Sequence, residues 1–238
     1  MNQIIENIRK ELKDNMDEKA VLSSRRFFKE ELKLYGVKAA LVHQISKKYF
    51  KSLKGKTKKE IFDLCEQLMK SGYFEETMVA CRWAYFVHKQ YEPSDFDLFE
   101  KWIEKYISNW ACCDTLCNHP VGEFLEMYPE FVPKLKKWAK SKNRWMRRAS
   151  AVSLIWPAIH GKFLKEILDI ADILLLDKDD LVQKGYGWML KSASQSHQKE
   201  IFDYLIKNKD IMPRTALRYA IEKMPSELKK KAMERPTK

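Results

Sequence analysis

The sequence predicts an all-α protein, a right-handed superhelical solenoid of antiparallel helix pairs, with residues 1–238 forming one domain. Three observations carry this. Glycine (7) and proline (8) are scarce in 238 residues, while Leu, Lys, Glu, Ala and Met are plentiful, a composition that favours helix. No run of alternating β-branched residues bounded by Asn-Gly or Gly-Gly turns occurs, which argues against a sheet. Lastly, "VACRWAYFV", "RRASAVSLI", "QKGYGWMLK" and "RTALRYAIE" each place a small residue near the start of an amphipathic helix. With Ala80, Cys113, Ala149, Gly185 and Ala216 as equivalents, the steps are 33, 36, 36 and 31 residues, the period of two-helix solenoid repeats. An irregular helical bundle is the alternative.

Helical period and breakers set the elements in order. The first segments fall at about 2–13, 18–34, 37–52 and 56–70, separated by polar turns and by Gly36, Gly55 and Gly72. Segments at 75–90 and 95–106 flank "EPSD", and 110–127 and 131–141 follow. After "KSKN" come 144–159, in which Pro157 should kink or end the last turn, and 161–174. Beyond "DKDD" lie 180–193, 197–207 and, after Pro213, 213–223, with a short tail helix. Short connections make successive helices antiparallel neighbours, and in such a solenoid the second helices of the repeats line the concave side.

Lys plus Arg exceed Asp plus Glu by 45 to 33, giving a net charge of +12. An excess of this size points to a polyanionic partner, nucleic acid above all. The densest basic stretch is "KLKKWAKSKNRWMRR", which holds Lys140, Lys142, Arg144, Arg147 and Arg148 and no acid. A second lies at Lys47–Lys59, where a solvated helix face accounts for the charge equally well, and the C-terminal repeat adds Lys184, Lys191, Arg214 and Arg218. The acids gather in "EPSDFDLFE" and "DKDD", so the charge reads as segregated, as a phosphate-tracking groove requires. Arg148 leads into an apolar helix and should meet an anion or sit solvated at a groove edge.

No apolar run reaches the length of a membrane span, and the first residues are too polar for a signal peptide. The five cysteines are odd in number and clustered, as expected of reduced thiols in the cytoplasm. "CCDTLCNH" lacks the C-x-x-C pair of a zinc site, so Cys113 and Cys117 read as small apolar groups on a buried face. No metal or cofactor is expected.

Of the seven tryptophans, Trp83, Trp102, Trp138, Trp145 and Trp156 fit apolar faces and read as core. Trp110 and Trp188 lie beside polar or small residues. In "SNWACCD" a helix stacks Trp110 and Asp114 one turn apart, and the bland reading is a surface acid beside a half-buried indole. "GYGWML" sets Gly185 and Gly187 within one turn, costly in a helix unless another helix or a ligand comes close.

Trp110 with Asp114 in "SNWACCD", Arg148 in "NRWMRRAS" and Trp188 in "QKGYGWMLK" together resemble the AlkD-type DNA alkylpurine glycosylases, in residue type, order and spacing over essentially the whole chain. The resemblance implies HEAT-like repeats and a base-excision repair enzyme that hydrolyses the N-glycosidic bond of 3-methyladenine and 7-methylguanine in duplex DNA. It makes Asp114 the catalytic carboxylate, Trp110 and Trp188 the sugar-contacting indoles, and Arg148 the phosphate-contacting arginine. Arg147, Arg144, Lys142, Lys140 and Lys184 would help to hold DNA. Phe27, in "SRRFFKEEL", stands where members carry a tyrosine, keeping the ring and losing the hydroxyl; Asn109 and Ala111 also depart from the family pattern.

Physical chemistry supports those roles on its own terms. An N-alkylated purine already carries positive charge and leaves neutral, so no general acid is needed. A carboxylate can stabilise the oxocarbenium-like sugar that remains and orient water, and indole faces stabilise cations. The expectation is a monomeric, cytoplasmic glycosylase associated with the bacterial nucleoid. Its rivals are a catalytically inactive HEAT-like protein for bent or branched DNA and a protein-scaffolding solenoid.

Overall fold

The computed structural model describes residues 3–234. Among them every regular element is helical, and contacts divide the chain into two compact units, 1–116 and 117–238. The first holds α1 (Gln3–Asp14), α2 (Glu18–Phe27), α3 (Ala39–Lys51), α4 (Lys58–Lys70), α5 (Phe74–Phe86), α6 (Asp95–Tyr106) and α7 (Trp110–Leu116). The second holds α8 (Gly122–Met127), α9 (Leu135–Ala139), α10 (Arg144–Val152), α11 (Ile155–Ile159), α12 (Leu164–Leu174), α13 (Asp180–Ala193), α14 (Gln198–Asn208), α15 (Arg214–Ala220) and α16 (Ser226–Met233).

Each unit is built as an α-solenoid is, from helices stacked on their neighbours one repeat away. In the first, α1, α3, α5 and α7 pack in succession while α4 pairs with α5 and α6. In the second, α10, α13 and α15 form one such row, with α12 packed on α9, α10 and α13, and α14 packed on α13 and α16. The repeat register read from small residues is realised: Ala80, Cys113, Ala149, Gly185 and Ala216 fall on α5, α7, α10, α13 and α15, all buried. At Gly187 the reason is close helix approach, since a Cβ there would lie 2.7 Å from both the Ala216 carbonyl oxygen and the Tyr219 Cβ on α15.

Of the expected helices that end or break early, three are informative. The segment expected at 18–34 stops at Phe27, where Phe28 turns extended and the chain bends at 29–30. Beyond it the buried Glu75 carboxylate, in the first turn of α5, accepts the backbone N–H groups of Tyr35 (3.0 Å), Gly36 (2.8 Å) and Val37 (3.1 Å). Gly36 adopts φ +85°, a left-handed turn suited to glycine. Next to it, buried Glu76 accepts from the Tyr35 hydroxyl at 2.7 Å and from Arg9 of α1. The helix expected at 110–127 opens into a wide turn at Cys117–Val121, because Pro120 lacks an N–H and its ring clashes with the carbonyl four residues back. For the same reason the break expected near Pro157 comes a full turn earlier, at Ser153–Leu154.

The predicted core is in place. Trp83, Trp102 and Trp138 are at most 1% exposed, and Trp145 is buried, whereas Trp156 is half-buried. All five cysteines are reduced and buried, Cys113 and Cys117 included, and burial pushes the Cys112 thiol up to about 12. Among the described residues no helix is long and apolar enough to cross a membrane.

Candidate nucleic-acid interface

The first unit presents Trp110 and Asp114. Helix α7 begins where it does because Asn109, 3% exposed, caps it: its Oδ1 accepts the Cys112 N–H at 2.9 Å and its carbonyl accepts the Cys113 N–H at 3.1 Å. The departure from the family pattern at Asn109 is therefore a helix cap, signalled in the sequence by an Asn just ahead of the apolar run. The cap fixes Trp110 in the first turn and Asp114 one turn on, both half-buried. Thr115 donates to the Ala111 carbonyl at 2.8 Å.

Trp110 sits in a cluster of phenylalanines. Phe28 stacks on it, with centroids 5.3 Å apart and planes at 27°, and Phe27 meets it at 5.3 Å and 57°. Phe74 closes on Phe28 at 5.6 Å. Phe27 is 67% exposed, so its ring is held at one edge and open to solvent over the rest. The sequence reading reached Phe27 by resemblance alone and missed Phe28; the doubled Phe in "SRRFFKEEL" is the signal that could have found it. The indole is thus held by rings, which orient it at little entropic cost.

The second unit holds the other expected residues. Trp188 is half-buried midway along α13. Arg148 of α10 is only 5% exposed and donates from Nη1 to the Leu181 carbonyl in the first turn of α13. The fold itself thus supplies an acceptor, an outcome beyond the anion or groove-edge water expected of Arg148. Gly185 makes room for it, since a Cβ there would lie 3.3 Å from Arg148 Cγ. Neither Gly185 nor Gly187 needs a ligand to account for it.

The expected separation of charge does not hold around α10. Arg147 bonds Asp177 at 2.6 Å and the carbonyls of Ser141 and Lys142 at 3.1 Å. Arg144 donates from Nη2 to Asp179 at 3.0 Å and lies 4.9 Å over the Trp145 ring, while Lys184 pairs with Asp180 at 2.7 Å. The acids of "DKDD" therefore sit directly against the basic run, and Asp179 also caps α13. Lys140 and Lys142 remain exposed. Residues distant in sequence meet here, which composition by segment does not reveal.

A family model for DNA alkylation repair enzymes matches residues 8–224, nearly the whole chain. The chain belongs to the DNA alkylation repair enzyme family. A solved chain, a predicted DNA alkylation repair enzyme from Enterococcus faecalis, is similar in fold with a TM-score of 0.79. It is 14% identical, with 89% of this chain and 98% of that one covered. At that identity the likeness speaks to fold alone. No curated protein matches in sequence. Family membership gives the protein a role in alkylation repair, and it places Trp110, Asp114, Arg148 and Trp188 all inside the matched span.

Proposed function

We propose that this member of the DNA alkylation repair family is a monofunctional glycosylase that hydrolyses the N-glycosidic bond of N3- or N7-alkylated, positively charged purines in duplex DNA. The observation that carries the reading is the Trp110–Asp114 pair, set one turn apart on a capped helix and braced by Phe27 and Phe28.

The alkylated base departs as a neutral purine, so the C1′–N bond breaks without proton donation and leaves its positive charge on the sugar. Asp114 stabilises that charge. At about 4 Å and an effective dielectric of ~20 the attraction is on the order of 4 kcal/mol, roughly three decades in rate. Asp114 also orients the water that completes the hydrolysis. The Trp110 indole offers its π face to the same cation and packs on sugar C–H edges. In the second unit Trp188 supplies a second indole. Arg148 supplies a phosphate contact through what its 5% exposure leaves accessible, and Lys140 and Lys142 add mobile phosphate contacts that carry no sequence information. The partner is double-stranded DNA, the protein acts as a monomer, and no cofactor enters the scheme. Localisation to the cytoplasm and nucleoid follows from that substrate as part of the proposal.

The test is incubation of the protein with methylated duplex DNA. Free 7-methylguanine should appear in solution, leaving abasic sites in an unbroken strand; retention of every methylated base on the DNA would overturn the activity.

A further inference from the structure

Arg82 lies on α5 of the first unit, half-buried, and makes no hydrogen bond or ion pair among the described residues; its Nε is fully enclosed and has no acceptor. Guanidinium is charged at any physiological pH, and leaving such a group partly desolvated without a partner is unfavourable. Burial lowers its proton affinity as well. The fold therefore keeps at this point a cation that nothing in the fold requires.

Two basic groups of the neighbouring helix share its field. Helix α3, packed on α5, brings His43 and, one turn on, Lys47. Burial and then the charges of Arg82 and Lys47 hold the His43 imidazole below its ordinary range, so the three groups share one field. The nearby acids are engaged elsewhere. Glu75 holds the backbone at 35–37, and Glu76 holds Arg9 and Tyr35. Glu11 of α1 takes Lys48 and Tyr49, and Glu6 takes Arg9; α3 itself has no acid. Arg82 follows Met78 by one turn, and Met78 Sδ lies 3.6 Å from Thr115 Oγ1 on α7. The cluster thus lies on the row of helices that ends in the Trp110–Asp114 helix.

We propose that Arg82, with Lys47 and His43, forms a binding site for a backbone phosphodiester of DNA. The site rests on the reading of this protein as a duplex-DNA enzyme and extends it to α3 and α5, where the basic run beginning at Lys47 otherwise has no assigned use. Arg82 presents a planar fork to two phosphate oxygens, Lys47 supplies a mobile charge, and neutral His43 donates or accepts one hydrogen bond. The phosphate meets the outer Nη groups of the half-buried side chain and neutralises a guanidinium whose Nε, enclosed by the fold, has no acceptor of its own.

The experiment is the affinity of full-length protein for an undamaged duplex as a function of salt, with Arg82→Met, Arg82→Lys and, as a charge-matched control on α14, Lys199→Gln. Each phosphate contact adds about 0.9 to the slope of log K against log salt. Arg82→Met should make the slope shallower by about that amount and weaken binding roughly tenfold at low salt. Arg82→Lys should restore most of the slope, and Lys199→Gln should leave it unchanged. Arg82→Met should also unfold at a temperature equal to or above the wild type, because it removes an unpartnered charge; a structural role would lower it. An unchanged slope in Arg82→Met with salt-dependent binding by the wild type overturns the site and leaves the glycosylase reading intact. A wild type with no salt-dependent binding overturns both. Inorganic phosphate that raises the unfolding temperature of the wild type but not of Arg82→Met, with the DNA slope unchanged in both, would mark a free-anion site and overturn the phosphodiester assignment.

Discussion

Asp114→Asn is expected to lower 7-methylguanine excision about a thousandfold while leaving affinity for undamaged duplex unchanged. The two side chains are nearly the same size, and Asp114 is half-buried on a helix whose start is fixed by Asn109, so the helix and the Trp110 cluster should persist. What is lost is a full negative charge opposite a sugar that becomes positive only in the transition state, and an interaction made only there appears in the rate rather than in binding. The estimate of ~4 kcal/mol at a dielectric of ~20 converts to that factor. Single-turnover excision with the variant in excess over a methylated duplex isolates the chemical step. A rate within a few-fold of wild type would remove Asp114 from the mechanism; a matching loss of DNA affinity would make it a binding residue instead.

Glu75→Ala carries the largest expected effect on stability. One buried carboxylate, 1% exposed, accepts three consecutive backbone N–H groups at 35–37. Removing it leaves three donors without their acceptor in a region that Tyr35, at 4% exposure, seals from water. Hydrogen bonds to a charged acceptor contribute about 1.5–3 kcal/mol each, and the losses do not add fully, so a net cost of about 3–5 kcal/mol is expected. That is a large share of the ~5–15 kcal/mol that holds a domain folded. Glu75→Gln keeps the carbonyl oxygen that serves Gly36 and Val37 but turns an amide NH2 toward Tyr35, and should fall between. Urea denaturation at equilibrium reads both: the midpoints should order wild type, Gln, Ala. Equal midpoints for wild type and Ala would show that the 35–37 turn does not depend on this carboxylate.

How much was legible beforehand depends on the range of the interaction that decides each feature. The repeat register was legible because close packing leaves room only for small residues where helices touch, and Ala80, Cys113, Ala149, Gly185 and Ala216 recur at that spacing. The pairing of Trp110 with Asp114 on one face is a local consequence of helical period. Helix ends were less legible. The stop at Phe27 is followed by a turn that a glutamate some 40 residues later holds in place, which no local pattern announces, whereas the break at Cys117–Val121 was announced by Pro120 and passed over. Electrostatics was the least legible. Asp177, Asp179 and Asp180 read as a linker cluster apart from the basic run, yet they pair with Arg147, Arg144 and Lys184. Arg148 looked like a surface cation until Gly185 and the Leu181 carbonyl proved to enclose it. Arg82 drew no notice within an apolar helix, because having no partner is a property of the fold and not of the sequence around it.

The central claim is that the lesion's own positive charge replaces a general acid, leaving a single carboxylate sufficient. The most direct measurement is the excision rate from two duplexes identical except for one base, cationic 7-methylguanine in the first and neutral O6-methylguanine in the second. Release from the first and at least a thousandfold less from the second is the result expected of a site that stabilises a sugar cation and donates no proton. Comparable release from both, or none from the first, would contradict it.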